Sequence, residues 1–75
     1  MNLARLNGVI TERSKEKNYN MKKVLAGDMW ISMQALGKKL CGKTKITTDD
    51  AEQMSESLEL GFRERVEIFL PIASQ

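Results

Sequence analysis

The chain of 75 residues has no histidine, one cysteine, one proline and four aromatic side chains. Each scarcity closes a class of function. A lone cysteine, Cys41, cannot form an intramolecular disulfide, and without histidine the Cys/His sets of structural zinc sites cannot be assembled. The same lack removes the commonest general acid–base side chain, and neither paired carboxylates in a plausible pocket nor a glycine-rich phosphate loop is present. The expectation is a protein that is not an enzyme, with no metal, no cofactor and no small-molecule substrate. Apolar runs stop far short of the ~20 residues that a membrane helix requires, so no membrane partner is expected. An unpaired thiol without a leader-like segment points to a reducing cytoplasm.

What is present is 41% apolar and 29% charged residues in a chain long enough for one small domain. A core of this size supplies roughly 3–5 kcal/mol, so support from tight helix packing or a partner subunit is expected. The net charge of +2 conceals a division. Residues 1–45 hold ten lysines and arginines against three acids, a net +7, whereas residues 46–75 hold two arginines against seven acids, a net −5. A basic front and an acidic rear suit a polyanionic partner on one side.

Apolar residues recur at steps of three and four, the period of amphipathic helices, and predict an all-α bundle of about five short helices. Over 3–17, Leu3, Leu6 and Ile10 share a face with Val9 beside them, although Gly8 costs roughly 1 kcal/mol there and favours fraying of the opening turns. Asn20 caps a second helix whose inward face is Met21, Val24 and Leu25, with Gly27-Asp28 weakening its end. Ser32 caps a third over 33–40, with Leu36 and Leu40 inward and Gln34, Gly37, Lys38 and Lys39 outward, closed by Cys41-Gly42 with the glycine left-handed. Thr47 or Thr48 caps a fourth carrying Asp49, Asp50 and Glu52 in its first turn and burying Ala51, Met54 and Leu58. In the last segment Phe62, Val66 and Phe69 favour a helix over the strand that Val66, Ile68 and Leu70 would line. Pro71 is expected to stop that helix, which leaves residues 1–70 as one domain and 71–75 as a flexible tail.

The stretch from Leu25 to Lys43, LAGDMWISMQALGKKLCGK, resembles the phage repressor and Cro type of helix-turn-helix. That family's pattern runs Leu-Ala, an apolar-Gly-apolar turn, Ser/Thr, then a recognition helix ending in Asn-Gly-Lys. The start at Ile46 to Asp49 and the spacing of Met54, Leu58 and Leu60 also fit, so the likeness covers roughly residues 6–60. It implies a lambda repressor-like domain that binds double-stranded operator DNA as a homodimeric transcriptional regulator. Such a protein would be of phage or mobile-element origin and act in the bacterial cytoplasm. By resemblance the base-reading positions are Met33, Gln34 and Lys38: glutamine can pair bidentately with adenine, lysine reaches guanine, and methionine packs on a thymine methyl. Ser32, the backbone near Gly42, Lys43 and Lys45 would hold phosphate, with Lys22 and Lys23 in support.

Three positions depart from the family pattern. Gly27 replaces a helix former, Cys41 replaces the asparagine before the closing glycine, and Trp30 occupies the place of the turn glycine. A positive φ strains tryptophan, so the turn has another backbone or Trp30 repays the strain by contact. The favoured reading is that it covers the edge of the core. Cys41 reads as a small structural residue. Gly37 either lets the helix backbone approach the duplex closely or is a tolerated destabilising residue. Phe62, Val66, Phe69 and Leu70 are the candidate dimer surface, unless they only complete the core of the protomer. The aromatics are not interleaved with the outward lysines, which disfavours single-stranded nucleic acid. The rival function is a non-enzymatic protein-interaction module, an antirepressor or antitoxin-like adaptor, anchored by Trp30 and Met33.

Overall fold

In the computed structural model the three-and-four periodicity becomes five helices: α1 (Leu3–Lys17), α2 (Met21–Asp28), α3 (Met33–Leu40), α4 (Thr48–Ser57) and α5 (Phe62–Ala73). The structure describes the backbone of residues 1–73 and the side chains of residues 1–69, and no strand occurs among them. The fold is therefore an all-α bundle.

Polar side chains set the helix starts by accepting amide hydrogens that have no intrahelical partner. Asn2 accepts from Arg5, and α1 is helical from Leu3 through Gly8. Asn20 accepts from the amides of Lys22 and Lys23, while the Ser14 hydroxyl reaches across from α1 to accept from Met21 at 3.0 Å. Ser32 accepts from Ala35, and Thr47 forms a capping box with Asp50. The acids of the first turn of α4, Asp49 and Asp50, lie where the helix dipole favours negative charge.

The helix ends share a second device. Beyond α2 the Trp30 amide donates to Gly27 O and the Ile31 amide to Ala26 O, the paired bonds of a Schellman motif with Trp30 in the left-handed position at φ 58°. Beyond α3, Gly42 (φ 86°) donates to Lys39 O and Lys43 to Lys38 O; beyond α4, Glu59 (φ 55°) donates to Glu56 O and Leu60 to Ser55 O. Glycine is favoured at 42, because its φ of 86° strains an L side chain and a Cβ there would sit 3.4 Å from Leu3 Cδ1.

Leu6, Val9, Ile10, Met21, Leu25, Leu36, Met54, Leu58 and Ile68 are fully buried and form the centre of one core. Burying a side chain of this size contributes about 1.5–3 kcal/mol. Polar ties join the ends of the helices around that core. Asn7 donates to the Leu3 and Leu40 carbonyls and so pins the end of α3 to α1. Arg13, its side chain only 16% exposed, donates from Nε to Leu58 O at 2.9 Å and pairs with Glu16 and Glu64. The Asn2 amide donates to Ile68 O, and the Ser57 hydroxyl donates to Asp28 at 2.7 Å.

One expectation for the last segment needs correction. Helix α5 passes Pro71 and ends at Ala73, since proline's fixed φ is itself helical and its cost is one hydrogen bond and a crowded preceding turn. The proposed tail beyond Ala73 lies outside the described residues. The inward face consists of Ile68 and Phe69, with Val66 half-buried and Phe62 84% exposed. Phe62 opens α5 just past the turn at Gly61, outside the layer where α1, α4 and α5 meet.

Candidate nucleic-acid interface

Helices α2 and α3 pack against each other across the four-residue turn 29–32. Leu36 and Leu40 face inward, so the 3.6-residue period leaves Met33, Gln34, Gly37 and Lys38 exposed as one strip along α3. Met33, Gln34 and Lys38, the three residues singled out for base reading, therefore share that face. Met33 is 46% exposed, a large apolar side chain at the first turn of the helix.

The first turn of α3 also presents hydrogen-bond donors. The Met33 and Gln34 amides have no acceptor among the described residues, and the Ser32 hydroxyl, whose oxygen accepts from Ala35 at 3.1 Å, keeps its own proton to donate. Those groups suit a phosphate or a base-edge acceptor. The turn after α3 differs from expectation. The Gly42 and Lys43 amides are engaged by the Lys39 and Lys38 carbonyls, so the backbone at Gly42 closes the helix and is not open to phosphate. The same bonds fold the loop back onto the helix end and keep the backbone of Lys43 at 2.9 Å from the Lys38 carbonyl. Cys41 is exposed there, its thiol 3.5 Å from Lys38 O.

The ion pairs sort the cations of the front section into two groups. Arg5, Arg13, Lys17 and Lys39 each have an acidic partner within 4 Å. Among the described residues Lys15, Lys22, Lys23, Lys38, Lys43 and Lys45 have none. All but Lys15 lie at the start of α2, the end of α3 and the loop after it, and all are exposed. Among the described residues five of the eight cations without an acidic partner thus lie on the helix pair and its loop, with Lys15 on α1 and Arg63 and Arg65 on α5.

Lys39 is the exception on α3. Read as outward from the sequence, it is half-buried, its ammonium donating to Asp50 at 2.8 Å and to Lys45 O at 3.1 Å. Partial burial pushes the Asp50 carboxyl up, but hydrogen bonds from Lys39 and Thr47, with the lysine charge, outweigh it and hold the group below its ordinary value. This pair joins α3 to the first turn of α4. The sequence signal was present in Asp50 as the third residue of a capping box, but the spacing of eleven residues to Lys39 gave no hint of the contact.

Trp30 also departs from its favoured reading. It does not cover the core: it is 94% exposed, and its neighbour Ile31 is the residue that packs on the core. In a Schellman motif the apolar residue after the left-handed position makes the contact back to the helix, which is the signal that sequence reasoning overlooked. Phe69 is buried in the core of the protomer and offers a partner no surface, whereas Phe62 and part of Val66 remain outside. The side chain of Leu70 lies outside the described residues. No helix among the described residues is long and apolar enough to cross a membrane. Comparison with protein-family models, with curated proteins and with solved structures gives no match to this chain.

Proposed function

We propose that this chain is a sequence-specific double-stranded DNA-binding protein, a repressor or Cro-like transcriptional regulator acting in a bacterial cytoplasm, with α2 and α3 as its helix-turn-helix. One observation carries the reading: five of the six front-section lysines without acidic partners lie on α2, α3 and the loop after α3, the same helix pair that bears Met33, Gln34 and Lys38, while four other front-section cations are neutralised by neighbours. The likeness of residues 25–43 to the phage repressor pattern supports it independently.

In this reading α3 enters the major groove by its first turn. Gln34 pairs with adenine N6/N7, Met33 packs on a neighbouring thymine methyl, and Lys38, one turn further along the same face, reaches guanine O6/N7. Lys22, Lys23, Lys43 and Lys45 and the Ser32 hydroxyl hold the flanking phosphates and fix the register. A single short helix makes few base contacts, each worth about 1–3 kcal/mol, so two copies reading half-sites one turn apart give usable specificity. Regulation then follows from occupancy of a promoter, and no catalysis is involved.

A second reading, a protein-interaction module on the same scaffold, draws on the exposure of Trp30 and Met33. Selection of duplexes from a randomised pool followed by gel-shift titration separates the two. The regulator enriches one sequence, loses affinity steeply with salt, and as Gln34→Ala loses about 1–3 kcal/mol on that sequence while non-specific binding persists. A protein that enriches no sequence is the interaction module.

A further inference from the structure

Among the described residues three other than glycine take up left-handed backbone: Asn18, Glu59 and Trp30. Asparagine is the side chain that tolerates this conformation best after glycine. Glu59 uses its position, for its carboxylate receives Lys17 Nζ at 2.9 Å and ties the end of α4 to the end of α1. Trp30 has neither excuse. It is 94% exposed, and its side chain makes no hydrogen bond among the described residues. The fold would lose nothing in contact, and would relax, with glycine there.

An outlier that the fold does not need is a reason to look for a ligand contact. The geometry points to Trp30 as a DNA-contacting residue, its indole lying against the sugar–phosphate wall of the groove that α3 enters; this rests on the DNA-binding reading above. Trp30 stands two residues before the cap Ser32, a span of at most about 7 Å. A major groove about 12 Å wide that receives the first turn of α3 brings its wall within reach of a side chain rooted so close. The nearest acid in sequence, Asp28, is engaged by the Ser57 hydroxyl of α4. Met33, 46% exposed three residues on, extends the apolar surface toward the bases, and the Met33 and Gln34 amides beside it await acceptors. The indole N–H can donate to a phosphate oxygen while the ring covers deoxyribose.

Trp30 is the only tryptophan, so its fluorescence reports on this position alone. The probe is the duplex that the wild-type chain enriches from a randomised pool, with a mixed-sequence duplex for comparison. The expected result is that the selected duplex shields the indole from acrylamide, and that Trp30→Gly melts several degrees higher while binding that duplex about tenfold more weakly. Trp30→Asn, which keeps a left-handed-tolerant residue and removes the ring, loses the same affinity. Gly8→Ala, at an exposed position of α1 where a Cβ meets nothing within 4 Å, changes melting without changing affinity. Unaltered affinity in both Trp30 variants overturns the inference and leaves DNA binding standing, as does a lower melting temperature for Trp30→Gly. If the wild-type chain enriches no duplex, the DNA-binding reading fails and the inference fails with it.

Discussion

Asp50 belongs to two structures at once. It closes the capping box of α4 by accepting the Thr47 amide at 3.0 Å, and it receives Lys39 from α3 at 2.8 Å. Because these contacts hold its folded-state pKa below that of the unfolded chain, its contribution is complete above the ordinary carboxylate range. That contribution disappears as pH falls through the lowered value. Asp50→Asn should therefore cost about 1 kcal/mol at neutral pH and progressively less as acid protonates the carboxyl, so urea melts of wild type and variant converge toward the acid end. A constant difference across that range would assign the loss to packing and not to charge. The exposed pair Lys17–Glu59, in which the hydrogen bond raises the lysine and lowers the glutamate, is open to salt screening and is the weaker tie.

At the scale of the elements, the helices were largely legible because their caps are local. Asn20, Ser32 and Thr47 each precede an apolar stripe, and the helices they cap run from Met21, Met33 and Thr48. The fifth helix also follows from period-four spacing, but of its proposed dimer surface Phe69 is buried in the core while Phe62 stays exposed. Periodicity puts Phe62 and Phe69 on one helix but does not report where a core ends, so it could not separate the exposed one from the buried one. The tilt of Lys39 toward Asp50 and of Arg13 toward Leu58 O depends on how helices cross, information absent from any one segment. Gly8 is a different case: it lies inside α1, exposed, and a Cβ there would meet nothing within 4 Å. Gly8→Ala should raise stability by about 1 kcal/mol in thermal or urea unfolding, the full difference in helix propensity. A smaller gain would mean that the first two turns of α1 are already held by Asn2 and Asn7 so firmly that propensity no longer limits them.

For the whole molecule, the question is what supports so small a core. The protomer has a radius of gyration of 11.4 Å and extends 34 × 25 × 18 Å, and it leaves Phe62 84% exposed at the start of α5. Two copies joined through Phe62 and Val66 would cover that surface. In that case the melting temperature rises with protein concentration by mass action, and Phe62→Ser abolishes the dependence while changing the monomer little. Melting that is independent of concentration over two orders of magnitude would make the protomer self-sufficient.

The exposed thiol of Cys41 at the end of α3 sets a condition on handling such a pair. No second cysteine in the chain can engage it, so air oxidation would join it to another copy. A disulfide holds its two Cα atoms roughly 4.4–6.8 Å apart, so a cross-linked pair would have its α3 helices abutting by their ends instead of separated by a helical turn of DNA. Testing the proposed dimer thus requires reductant, since a covalent pair seen without it would report the cross-link and not the proposed assembly.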